Sequence, residues 1–259
     1  MDLDQFLPML SAVDQEKHIS TIPLLDRNHP GFYWIFRNVD YAQWNDSCFQ
    51  VLWLSGPPEC NIHQVSSYVV GQEKDTALKT GCLVLYFFCS ATTRRRSIAK
   101  DFVHTLLGQI LYCSQVDERT SIIRGFLRSL LDEFSKMGAV RNWIERGFKE
   151  ENSSQENIQK LLNGPVNELL TALGTVLSDE ERRSLVVVDE LDKIEHDRGE
   201  FVKEVHAFVK HIRGKNRKAK ILLTSRPLDE IRDTFDGLPR IEHDRERKGS
   251  LTSHFLILN

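Results

Sequence analysis

Val51-Leu52-Trp53-Leu54-Ser55-Gly56-Pro57-Pro58-Glu59-Cys60-Asn61-Ile62-His63 reads as a buried strand, a tight turn and the opening of a helix. A phosphate-binding loop follows a strand in this way and has the pattern G-x-x-x-x-G-K-[ST], in which glycine amides wrap the phosphates, lysine reaches the outer ones and the hydroxyl holds magnesium. Gly56 fits the first position. Asn61 then stands at the second glycine, Ile62 at the lysine and His63 at the hydroxyl residue. Charge-assisted hydrogen bonds contribute roughly 1.5 to 3 kcal/mol each, and phosphate recognition uses several of them. The stretch containing Gly56, Pro57, Pro58, Asn61, Ile62 and His63 is therefore expected to have the outline of a phosphate loop and to bind nucleotide weakly if at all.

Outward from this stretch, strands and helices alternate. Ile62, Val65 and Val69 recur at helical spacing after the turn, and Leu83 to Phe88 is a continuous apolar run of the kind buried on both faces of a parallel sheet. Three amphipathic segments follow, Ile98 to Leu111, Ile122 to Phe134 and Gln155 to Leu177, the last interrupted at Gly164-Pro165; together they read as a helical insertion. Leu185-Val186-Val187-Val188-Asp189 is the clearest buried strand. A helix over Phe201 to Ile212, a strand over Lys220 to Thr224 and a short helix over Leu228 to Phe235 complete the series. This alternation predicts an α/β fold of three layers, a mostly parallel sheet with helices on both sides. Upstream, residues 1–20 are expected to form a helical arm with Phe6, Leu7, Leu10 and Val13 on one side, broken or entered at Pro8.

Chemistry is expected where the strands end. Val188-Asp189-Glu190-Leu191-Asp192 delivers carboxylates at the carboxyl end of a strand, the edge at which open α/β sheets place ligands. Asp189 is a candidate magnesium ligand, and Glu190 or Asp192 can orient an attacking water; the same acids also fit a buried strand that simply meets solvent. Arg226, in Thr224-Ser225-Arg226-Pro227, is expected on the same rim, either in range of a γ-phosphate or paired with one of the three acids. Arg94-Arg95-Arg96 is a basic run in a polar connector, read as a solvated loop or a phosphate contact. His63, His196 and His243 show no metal-ligand spacing.

A net charge of -3 over 259 residues gives no argument for nucleic acid or a membrane surface. Acids in Met1-Asp2-Leu3-Asp4 stand where a signal peptide needs bases, and no apolar run approaches a membrane span, so a cytoplasmic protein is expected. Cys48, Cys60, Cys82, Cys89 and Cys113 are scattered without C-x-x-C pairs, and are expected to be reduced and mostly buried.

In order and spacing, Trp34 and Trp44, then Leu52 to Pro58, Tyr86-Phe87-Phe88, Leu106-Leu107-Gly108-Gln109-Ile110-Leu111, Val188 to Asp192 and Leu223 to Pro227 resemble the NACHT-type signal-transduction ATPases with numerous domains (STAND), in particular the fungal group with a nephrocystin-3-like ATPase segment. The resemblance covers about Thr21 to Ile241. It implies a P-loop NTPase domain over residues 21–245, between the arm and a truncated tail at 246–259. It also implies ATP or GTP with magnesium as a switch that governs oligomerisation, with Asp189 as the magnesium-binding acid, Asp192 as a further acidic residue and Arg226 as the sensor arginine. The phosphate-loop residues do not carry over. The favoured expectation is a degenerate, catalytically inactive signalling module that binds protein partners, among them full-length NACHT relatives. The alternatives are an active switch NTPase with an unusual phosphate loop and a metal-dependent phosphohydrolase built on Asp189, Glu190 and Asp192.

Overall fold

The structure, a computed structural model, describes residues 3–10, 12–21, 32–46, 50–91, 97–136, 155–179, 182–213, 215, 218–243 and 252–254. Five strands run parallel: β1 (Val51–Ser55), β2 (Leu83–Phe88), β3 (Ser184–Asp189), β4 (Ala219–Ser225) and β5 (Arg240–Glu242). A sixth, β6 (Thr252–His254), runs antiparallel on β5, and the order across the sheet is β2-β3-β4-β1-β5-β6. Residues of β1 to β4 are buried throughout, as their unbroken apolar runs require, because both faces of the sheet are covered.

Alternation of side chains divides the core in two. Trp53, Leu85, Phe87, Val186, Val188 and Leu223 face one layer, formed by α6 (Ile98–Cys113), α7 (Val116–Lys136), α8 (Gln155–Leu162), α9 (Val166–Asp179) and α10 (Arg198–Ile212). Here Phe102 stands edge-on to Phe87, Phe201 and Phe208 at 5.4, 5.8 and 5.4 Å between ring centres, an arrangement that aligns ring edges with ring faces. Leu52, Leu54, Val84, Val187 and Leu222 face the other layer, which contains α3 (Tyr33–Phe36), α4 (Val39–Asn45) and α5 (Ile62–Thr80). Gly81, left-handed at φ 67°, terminates α5, a backbone conformation that glycine adopts without strain. A short α11 (Asp229–Thr234) follows β4.

Helices α6 to α9 are the helical insertion between β2 and β3, and the expected break at Gly164-Pro165 separates α8 from α9. The amino-terminal arm departs from the expected amphipathic helix. Leu3–Phe6 (α1) gives way to a 3-10 turn over Leu7–Met9, and Gln15–Thr21 (α2) is separate; Pro8 has no N–H to continue an α-helical ladder. The arm wraps the open edge of β2. Phe6 and Leu10 join one core layer and Ile19 packs against the other.

At that edge, side-chain amides satisfy the strand. Gln109 accepts from the Tyr86 N–H and donates to the Tyr86 carbonyl, both at 2.9 Å, while Gln15 accepts from the Phe88 N–H at 2.7 Å. Cys60 and Cys89 are buried, Cys82 is half-buried, and Cys113 is exposed against expectation because it ends α6 at the surface; these four are free thiols. No helix among the described residues is long and apolar enough to cross a membrane. Cys48, residues 22–31, Arg94-Arg95-Arg96, residues 137–154 and the tail outside 252–254 lie outside the described residues.

Candidate functional site

Parallel strands deliver their carboxyl ends to one rim. There an open cleft of about 170 Å³ lies between the loop after β1 and the ends of β3 and β4, lined among others by Gly56, His63, Glu190, Asp192, Lys193 and Arg226. Pro57, Pro58, Ile62, Thr224 and Ser225 also line it, so the sequence-predicted residues converge on one place, except for Asn61 and Asp189, which lie beside it.

The loop is filled by its own side chains. Pro58–Cys60 forms a 3-10 turn, with the Cys60 N–H donating to the Pro57 carbonyl at 3.0 Å and the Asn61 N–H to Pro58 at 3.3 Å. Asn61 is left-handed at φ 51°, ψ 38°; asparagine tolerates the conformation that glycine would favour at this point. Cys60 is buried, and Ile62, largely buried, gives the cleft an apolar lining at this point. A Cβ on Gly56 would meet His243 Cβ at 3.1 Å and both Cys60 Sγ and Ile62 Cδ1 at 3.3 Å. Two amides of the loop are bonded inside the turn, and sulfur and methyl groups lie close to the Gly56 backbone.

Asp189 ends β3 with no exposed surface. Its Oδ1 accepts from the Ser66 hydroxyl at 2.6 Å and from the Thr224 hydroxyl, and its Oδ2 is buried without a hydrogen-bond partner. Burial pushes its pKa up to about 7; the Glu190 charge adds to the rise and the two hydroxyls oppose it. A group in this setting exchanges a proton near neutrality instead of standing as a fixed anion. Thr224 relays further, its oxygen accepting from the Glu190 N–H at 3.0 Å. That contact holds Glu190 left-handed at φ 57°, ψ 44°, a conformation that costs a residue of this type on the order of 1 kcal/mol or more.

Asp192, 5% exposed, binds Arg226 twice: Oδ1 accepts from the Arg226 backbone N–H at 2.9 Å and Oδ2 from Nε at 2.6 Å. Of the two sequence expectations for Arg226, the structure contains the pairing. The three acids therefore diverge, Asp189 inward to two hydroxyls, Asp192 to Arg226 and Glu190 to the cleft. Among the described residues, no three His, Cys, Asp or Glu side chains are arranged to hold a metal ion. His196 is exposed and His243 packs its ring against Trp34 at 4.8 Å.

Ser66 and Lys193 escaped the sequence reading. Ser66 lies four residues after Ile62, hence on the same side of α5, and its only signal was a polar pair, Ser66-Ser67, in the buried stripe of a helix. Lys193 follows Asp192 directly and lines the same cleft. The family model described as nephrocystin 3, N-terminal, matches residues 32–116 and 109–226 of the chain. No curated protein and no solved structure matches it.

Proposed function

The chain belongs to the nephrocystin 3 N-terminal family, and on that premise we propose that it is a NACHT-type P-loop NTPase domain whose phosphate loop has degenerated and which acts through protein partners rather than catalysis. The observation that carries this reading is the sealed carboxyl of Asp189: fully buried, held by Ser66 and Thr224, and pushed up to about 7 by burial. Magnesium is held by ionised oxygens, and this carboxyl is buried with its Oδ1 already taken by two hydroxyls. The loop supports the same conclusion, with Ile62 buried where the lysine would reach for phosphate. On this reading ATP or GTP with magnesium lacks the loop cation that would hold it, and no hydrolytic step is assigned to Glu190, Asp192 or Arg226. The partners we propose are full-length members of the same family, joined in hetero-oligomers.

Calorimetric titration of the full chain with ATP and with GTP, with and without magnesium, tests the proposal. No binding in the micromolar range is expected. Micromolar, magnesium-dependent binding with turnover that Asp189→Ala abolishes would overturn it. Lys193 supports a second reading, an active switch in which this cleft cation replaces the loop lysine; under that reading the double variant Ile62→Lys, His63→Ser leaves nucleotide affinity unchanged and Lys193→Ala removes it.

A further inference from the structure

On its side of the sheet β2 is the last strand among the described residues. Leu83 points its N–H at β3, where the Arg183 carbonyl accepts it at 2.7 Å. Tyr86 and Phe88 turn theirs outward, and by the two-residue period of a strand Val84 does the same. Side chains meet this edge, Gln109 at both groups of Tyr86 and Gln15 at the Phe88 N–H. The two covers differ in grip. Gln109 belongs to α6, most of which is buried. Gln15 is the one buried residue of α2, and its Nε2 has no hydrogen-bond partner, a donor left unsatisfied by the very contact that covers the strand.

The other attachments of α2 are superficial. Glu16 accepts from the Tyr86 hydroxyl and from Lys74 Nζ, an ion pair between side chains 65% and 40% exposed, and pairs of that kind hold weakly. The firm anchors of the arm, Phe6 and Leu10, come before α2, so α2 is free to lift while the arm stays attached. Beside the same edge, Tyr112 and Val116 are two of the three large apolar side chains exposed among the described residues. Tyr112 stands about one turn beyond Gln109 on α6. Its corner is stiffened by Arg119, whose Nε donates to the Ser114 carbonyl at 3.0 Å, and by Arg182, which donates to Ser114 Oγ at 3.1 Å. A tyrosine on a rigid, exposed corner suits the anchor of an interface.

We propose that the β2 edge is a self-association surface with α2 as its autoinhibitory cover: when α2 lifts, β2 of a second copy lies antiparallel on β2 about a two-fold axis at Tyr86, displacing Gln15 and Gln109, with Tyr112 of each copy at the border. A second copy is the occupant because the edge complements itself. In such a pair Tyr86 opposes Tyr86 and Val84 opposes Phe88, so that outward donors meet outward acceptors along the whole strand. The contact is isologous and closes at a dimer. None of these residues lines the cleft, so the surface stands whether or not nucleotide binds there.

Light scattering of the full chain during size-exclusion chromatography, combined with hydrogen exchange, tests the surface. Glu16→Ala loosens α2, and Gln15→Ala leaves the Phe88 N–H bare in the covered form. Each removes a contact worth about a factor of ten in an equilibrium constant, so each variant is expected to dimerise at a concentration about tenfold below that of wild type. In the dimer the amides of residues 16–21 should exchange faster while those of Tyr86 and Phe88 stay protected, and Tyr112→Asp added to either variant should restore the monomer. A variant that exchanges α2 faster and stays monomeric overturns the proposal. So does a dimer whose Tyr86 and Phe88 amides exchange freely, one that Tyr112→Asp leaves intact, or a series of species larger than the dimer. An α2 that keeps its protection in both variants overturns it as well, because a cover that does not lift bares no edge.

Discussion

Replacing Asp189 by asparagine tests the electrostatics of the site. The carboxyl is fully buried and its pKa stands at about 7, against an ordinary value of 3.8. Between those values the folded chain keeps a proton that the unfolded chain releases. Stability from this group is therefore full below about pH 4 and is lost as pH rises through about 7. At about 1.4 kcal/mol per pH unit, a difference of about three units sets a ceiling near 4 kcal/mol. Asparagine keeps the oxygen that Ser66 and Thr224 address and has no charge to bury. Asp189→Asn should thus gain on wild type steadily from pH 5 to pH 7 and level off above, its melt about 5 °C further ahead at pH 8 than at pH 4 if half the ceiling is realised. Calorimetric melts of both proteins at pH 4, 5, 6, 7 and 8 measure it, and subtracting one curve from the other cancels the remaining groups. A difference that does not vary with pH, or one in which the variant loses ground as pH rises, refutes a buried and largely neutral Asp189.

Three further outcomes follow from the packing. Phe102→Ala leaves a void among Phe87, Phe201 and Phe208 and should cost about 3 to 5 kcal/mol in a urea titration, with the fold retained. His104, 1% exposed and bonded through Nε2 to the Leu162 carbonyl at 3.1 Å, has its pKa pushed down to about 4 by burial; stability should fall by up to about 3 kcal/mol as pH drops from 6.5 towards 4, and His104→Gln should flatten that slope in melts across the same range. Gly56→Ala forces a methyl against His243, Cys60 and Ile62, and should cost about 1 to 3 kcal/mol by chemical unfolding; an unchanged midpoint would mean that the loop is looser than its contacts imply.

Leu83 to Phe88 and Leu185 to Asp189 could be recognised as strands because burial on both faces leaves an unbroken apolar run, a local signature. Arg240-Ile241-Glu242 has no such run. It is a strand because β1 offers it hydrogen bonds from Trp53 to Ser55, a partner nearly two hundred positions away that no local pattern encodes. The site divides in the same way. That the loop after β1 and the ends of β3 and β4 meet at one rim follows from parallel topology, and the residues of that rim were legible. What each acid does there was not. Asp189 turns inward because Ser66 and Thr224 wait in the core, and Asp192 rather than Asp189 or Glu190 takes Arg226; these choices arise from three segments brought together only by folding.

The glutamines at the margin of β2 give the sheet a direction of growth. A strand whose outward amides and carbonyls were free would invite another chain to add itself. Gln109 occupies both outward groups of Tyr86, and Gln15 the amide of Phe88, so two side chains counterfeit the neighbour that is missing. The opposite margin ends instead in β6, a three-residue strand laid antiparallel on β5. Any chain that extends this sheet by pairing does so on the β6 side, while the β2 side stays closed to recruits for as long as the arm keeps its grip.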